Sequence, residues 1–167
     1  IFLFGLGFMP VGLLLLKTQD AGLNSFFMPL IYFIYSSVFA AASIPAGRLA
    51  DRIGDKKVIA AGFLAAIAGY LILAFFSTTF YLILGFIVLG LYAALTDGVE
   101  RALVSKLVHD GKLAMGQGFL NSAVGVSSLL AGLIGGGIWT WFGSAPALFY
   151  GAIVMSIGLL TLWIYLK

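Results

Sequence analysis

The chain is written almost entirely in long apolar runs, interrupted at intervals by short polar or charged stretches. A helix that crosses a hydrocarbon layer about 30 Å thick needs roughly 17–25 apolar residues, and six runs reach or approach that length. They predict spans over about 1–16, 26–46, 58–76, 80–96, 113–141 and 145–166. The runs are continuous rather than alternating, which selects helices over a barrel. Six spans use up the chain, so residues 1–167 are expected to form a single six-helix transmembrane domain with no soluble domain or long linker. The first run is slightly short and starts at Ile1 rather than Met, so residues are expected to precede it.

The polar interruptions alternate in character. Residues 17–24, 77–79 and 143–144 are short and nearly uncharged, whereas 47–57 and 101–112 carry the charge. Arg48, Arg52, Lys56, Lys57, Arg101, Lys106, Lys112 and Lys167 fall on one side of the expected membrane, and only Lys17 on the other. Basic loops stay cytoplasmic, so both ends of the chain are expected in the cytoplasm. Composition agrees with a lipid solvent: 62% of residues are hydrophobic and 9% charged, against about 25% charged in soluble domains, and mean hydropathy is +1.15. The net charge of +3 lies in loops and gives no case for a nucleic-acid partner. The absence of cysteine excludes disulfides and thiolate metal sites, and no cofactor is implied.

Enzymatic chemistry finds no support. The single histidine, His109, falls in a charged loop, so an intramembrane serine hydrolase would lack its base. There is no His–Glu metal motif, and no Asp, Glu, Lys, Arg or His occupies the middle of any span. The protein is therefore not expected to be an enzyme.

Two charged stretches carry more than topology. The first, GRLADRIGDKK over 47–57, follows the second span. Gly47 allows close helix approach, and Asp51 asks for a cation or a helix N-terminus. Gly54 permits a turn, and Arg52, Lys56 and Lys57 suit an anionic leaflet. A plain basic turn would place positive charge on the same side but needs no Gly–Asp–Arg–Gly spacing. The second, LTDGVERALV over 95–104, closes the fourth span. Asp97 and Arg101 are four apart and share a helix face; Glu100 points elsewhere and is expected to reach Arg52.

The first stretch resembles the signature of the major facilitator superfamily, G-x-L-A-D-R-x-G-R-K/R-K/R, which lies between the second and third helices of each half. Asp55 stands where the family usually has a basic residue. The second resembles a segment at the cytoplasmic end of the tenth helix in prokaryotic members. Over all 167 residues the chain thus looks like helices seven to twelve of a twelve-helix transporter. That resemblance implies an all-α integral membrane fold, six helices forming one half as a 3+3 inverted repeat. It also implies secondary-active transport of a small solute by alternating access, in a prokaryotic inner (plasma) membrane. The partners would be the lipid bilayer, the solute and the other six-helix half. Gly47, Asp51, Arg52, Gly54, Lys56, Lys57, Asp97, Glu100 and Arg101 form the implied gating set, with Asp51, Arg52, Glu100 and Arg101 as a charge cluster that locks one conformation. Two halves share one orientation in this superfamily, so a half-length chain pairing as a parallel homodimer is an alternative. A passive channel or structural membrane subunit is another.

The resemblance places spans one, two, four and five against the other half and spans three and six toward lipid. Span three is bland apart from Tyr70, and span six offers only Ser156 and Thr161. In span five, at about 100° per residue, Gln117, Asn121, Val124, Ser128, Gly132, Gly135 and Trp139 share one stripe. Phe119, Leu120, Ala123, Val126, Leu130 and Leu133 fall opposite. Span two repeats the pattern with Tyr32, Ser36 and Ser43, and span one is bendable at Gly5, Gly7, Pro10 and Gly12. Asn121, Gln117, Ser128, Tyr32 and Ser36 are the candidate cavity residues. Asn121 leads, because its amide both donates and accepts and lies deeper than Gln117. Helix-to-helix hydrogen bonding explains Gln117 and Asn121 equally well. Neutral contacts suit an uncharged or amphipathic solute.

Overall fold

The structure, a computed structural model, describes residues 2–108 and 112–165; His109 and Lys167 lie outside them. The described residues form eight helices: α1 (Phe2–Gly7), α2 (Val11–Leu15), α3 (Lys17–Asp20), α4 (Phe27–Ile53), α5 (Asp55–Phe75), α6 (Thr79–Leu107), α7 (Leu113–Phe142) and α8 (Ser144–Tyr165). The last five are each long and apolar enough to cross a membrane. The first expected span, 1–16, is instead two short helices. It breaks over Phe8, Met9 and Pro10, where proline offers no N–H to the helix ladder.

Spans two and four were expected to end at 46 and 96, but α4 runs to Ile53 and α6 to Leu107. A switch from apolar to charged residues marks where a helix leaves the membrane, not where it stops. The signature stretch is therefore mostly helix. Residues 47–53 finish α4, and Gly54 makes the turn at φ 98°, a conformation side-chain-bearing residues rarely adopt. Asp55 then opens α5.

Lipid is as apolar as leucine, so helices in it associate through close packing of small residues. In the α5–α6 seam Gly62 receives Thr96, Gly69 receives Leu89 and Gly85 receives Leu73. Between α4 and α6, a Cβ on Gly90 would stand 2.7 Å from the Tyr35 carbonyl oxygen. Phe63, Tyr70 and Leu73 of α5, Leu82 and Phe86 of α6, and Leu148 and Met155 of α8 are fully buried. Span three thus departs from its bland, lipid-facing reading: α5 and α6 bury the most, with Tyr70 completely enclosed, and only one side of α5 turns Leu64 and Phe75 outward. α8 turns out Ile153, Ile157, Leu160 and Trp163. α4 and α7 are the least buried.

A charged side chain ties helices together at each end of the bundle. Lys106 Nζ lies 2.8 and 3.0 Å from the Asp55 carboxylate oxygens, joining the end of α6 to the start of α5. The two charged stretches therefore meet at one end. At the other end Lys17 Nζ donates to Ser144 Oγ at 2.9 Å and pairs with Asp20 at 3.4 Å. Lys17 is only 4% exposed, so the lone basic residue of that end is withdrawn from the surface and binds α3 to the start of α8.

Gly90→Ala should lower thermal stability, because the obstructing atom belongs to the backbone and cannot rotate away; overpacking of this kind costs about 1–3 kcal/mol. Gly137→Ala, where a Cβ meets nothing within 4 Å, should be neutral or mildly stabilising. Melting temperatures of the two purified variants check this, and equal losses would remove the packing explanation.

Candidate functional site

A cavity of about 360 Å³ lies between α1, α4, α6 and α7, toward the charged end of the bundle. α4 contributes Tyr32 and Ser36, α7 contributes Asn121 and Ser128, and α6 contributes Asp97, Glu100 and Arg101. Four of the five candidate cavity residues are thus brought together with three of the candidate gating charges. Gln117 is not among the lining residues. Its amide donates to the Arg101 carbonyl at 2.9 Å and to Ser105 Oγ at 3.0 Å, which pins the start of α7 to the end of α6.

Arg101 is the hinge of the local electrostatics. Its Nε lies 3.3 Å from Asp97 Oδ1, and its Nη1 donates to Asn121 Oδ1 at 3.3 Å. Asn121 therefore has one foot in the cavity and one in a helix-to-helix bridge. Glu100 shares the cavity face of α6 with Tyr92 and Thr96, each one turn apart, and makes no hydrogen bond or ion pair with a described residue. The expected Glu100–Arg52 contact is not formed. Because α4 continues as helix, Arg52 sits at its exposed end, outside the cavity lining.

The signature residues occupy the end of α4 and the start of α5 rather than the cavity. Asp51 is exposed, within electrostatic reach of Lys106 but not in contact with it. The contact is made by Asp55, the residue that departs from the family pattern. Lys56 and Lys57 are exposed beside it. A Cβ on Gly47 would meet nothing within 4 Å, so the close approach this glycine permits is left open.

The stripe on α7 divides. Asn121, Val124 and Ser128 line the cavity, whereas Gly132 faces the Pro10 ring and Gly135 faces Met9. Leu120, expected opposite, also lines the cavity and is buried, because the helix is rotated so that the cavity face takes in its neighbour to Asn121. The aromatic lining was not foreseen: Phe8, Tyr35, Phe39, Phe63 and Tyr92. A signal existed, since Tyr32, Tyr35, Ser36 and Phe39 follow the i, i+3, i+4, i+7 spacing of one helix face. Tyr32 and Tyr35 stack at 6.1 Å and 25°. Phe8 and Phe63 each tilt against Tyr92 at 6.1 and 6.2 Å.

The broken first span borrows hydrogen bonds from α5 and α8. The Met9 N–H donates to Tyr70 Oη at 3.0 Å, and Tyr150 Oη donates to the Leu6 carbonyl at 3.3 Å. Neither tyrosine stood out as functional in the sequence.

A family model described as Major Facilitator Superfamily matches residues 1–167. The chain is 34% identical over 134 residues to an uncharacterized MFS-type transporter of Methanocaldococcus jannaschii, an alignment covering 80% of this chain and 34% of that protein. It is 30% identical over 132 residues to the inner membrane transport protein YajR of Escherichia coli, covering 78% of this chain and 29% of the relative. The chain thus spans about a third of the length of these curated relatives.

Gln117→Ala should destabilise the protein by about 1 kcal/mol, the net worth of an ordinary hydrogen bond, without altering solute binding. Thermal denaturation alongside a binding or uptake measurement checks this; a binding defect at unchanged stability would return Gln117 to the cavity.

Proposed function

Because the chain belongs to the Major Facilitator Superfamily, whose members move solutes across membranes, we propose that it is the six-helix C-terminal half, helices seven to twelve, of a secondary-active transporter working by alternating access. The observation that carries this proposal is the cavity, walled by the first, second, fourth and fifth spans and reaching toward the charged end. The other half would close it over the exposed faces of α4 and α7. The lining mixes stacked tyrosines with an amide, hydroxyls and carboxylates, which suits an amphipathic solute with a ring or apolar body. With seven of the eight basic residues among the described residues at one end, that end and both termini of the segment would face the cytoplasm of a prokaryotic inner membrane. Asp51 and its neighbours would meet the other half during the conformational change.

The chain has no cysteine, so single replacements report cleanly. Asn121→Cys and Ser128→Cys should react with a water-soluble maleimide and be protected by bound solute, whereas Ile153→Cys on the outward face of α8 should not react. Equal labelling at all three positions would sink the cavity assignment. For orientation, a reporter fused at Thr78 should read outside and one after Lys167 inside; a cytoplasmic signal at Thr78 would overturn the topology.

A further inference from the structure

We propose that the cavity selects solutes carrying one positive charge on an apolar body, an organic ammonium or guanidinium, and that Glu100 is the specificity-determining residue that receives the charge. This deepens the reading of the cavity as the solute site and rests on it. The charged residues of the lining are Asp97, Glu100 and Arg101. Two of them balance: Arg101 Nε lies 3.3 Å from Asp97 Oδ1, and Arg101 Nη1 donates to Asn121 Oδ1 at 3.3 Å. One negative charge is left over at Glu100, which has no contact ion pair or hydrogen bond among the described residues. Its neighbour one turn back, Thr96, does not answer it, because Thr96 Oγ1 donates to the Tyr92 carbonyl at 3.0 Å.

The aromatic part of the wall favours the same sign. Phe8 and Phe63 tilt against Tyr92 at 6.1 and 6.2 Å, and Tyr32 stacks on Tyr35 at 6.1 Å. A ring face attracts a cation lying within about 6 Å of its centre, whereas its negative face repels an anion. An anionic solute would also meet the Glu100 carboxylate. A neutral solute filling the cavity would strip water from that carboxylate and return no charge, which is costly among apolar walls. A bare metal ion is a poor fit as well. A hard cation takes about six oxygen ligands, and no group of three or more His, Cys, Asp or Glu able to hold a metal occurs among the described residues.

Spacing sets the shape of the solute. Tyr92, Thr96 and Glu100 stand one turn apart on the cavity face of α6, so about 12 Å of helix separates Glu100 from the buried Tyr92. A solute that engages both has its charge toward the charged end of the bundle and its apolar body against Tyr92, Phe8 and Phe63. The volume of about 360 Å³ holds a body of one or a few rings.

The test uses the full-length protein with Ser128→Cys as its only cysteine, and reads protection of that thiol from a water-soluble maleimide. Three probes share a phenyl ring and a chain of one length: phenylbutyltrimethylammonium, the uncharged phenylpentanamide and the anionic phenylpentanoate. The ammonium should half-protect at a concentration about tenfold below the amide, and phenylpentanoate should not protect. Glu100→Gln should raise the half-protecting concentration of the ammonium by about tenfold and leave that of the amide unchanged. An unchanged value for the ammonium in folded Glu100→Gln, an equal rise for ammonium and amide, or protection by phenylpentanoate as strong as by the ammonium overturns the proposal. If Glu100→Gln yields no folded protein, the three probes on the unaltered lining decide, and equal protection by ammonium and amide overturns it. Normal labelling with no protection by any probe overturns the proposal and leaves the cavity reading standing. Absence of labelling at Ser128→Cys without any probe overturns the cavity reading itself.

Discussion

A helix that breaks inside a membrane leaves backbone groups with no water to receive them, each at a cost of several kcal/mol. That constraint shapes this half from the inside. The break falls at Pro10, and two hydroxyls answer it: Tyr70 from α5 accepts the Met9 N–H, and Tyr150 from α8 donates to the Leu6 carbonyl. For these hydroxyls to reach, α5 and α8 must lie close to the first span. The glycines secure this, since Gly7 and Gly151 let α1 meet α8 at backbone distance, with the Tyr70 ring packed against Gly151. The burial of α5 and the close seat of α8 follow from the same requirement.

Seen this way, the division between outer and inner helices is one of function rather than burial. α5 and α8 contribute nothing to the cavity except Phe63, but they hold the geometry of a span that lines it through Gly5 and Phe8. α4 and α7 do the reverse, supplying cavity walls while burying little of themselves in this half. The cavity is walled mainly by elements that bury little of themselves and supported by those that bury most.

How much of this was legible depended on the length scale of each signal. Long apolar runs locate membrane helices well, so α5 and α8 fall close to their expected spans. Helices α4 and α6 continue past the expected span ends through residues 47–53 and 97–107, because hydropathy changes at the membrane surface while hydrogen bonding continues beyond it. Tyr32, Ser36, Asn121 and Ser128, which line the cavity, were legible because polar residues on a helix in lipid are rare enough to stand out. Tyr35, Phe39 and Tyr92 were missed because an aromatic ring facing a cavity reads like one facing lipid. The partners of Gln117 and Arg101 were beyond any spacing rule, since they depend on how α6 and α7 meet near their ends.

The charges left without contact among the described residues gather at the charged end of the bundle. Asp97, Arg101 and Asn121 satisfy one another across α6 and α7, and Lys106 is taken by Asp55. Glu100, Asp51 and Arg52 make no contact ion pair among the described residues, and Gly47 opens onto empty space. Asp51 and Arg52 are solvated at the helix end, where an unpaired charge costs little. Glu100 differs, because it lines a cavity with aromatic walls, and a carboxylate in apolar surroundings is retained only at a cost unless something completes its environment. A solute group or a donor from the other half would do so. Among the described residues, Glu100 is therefore the cavity acid left without a contact ion pair or hydrogen bond, and the point at which the lining is chemically least complete.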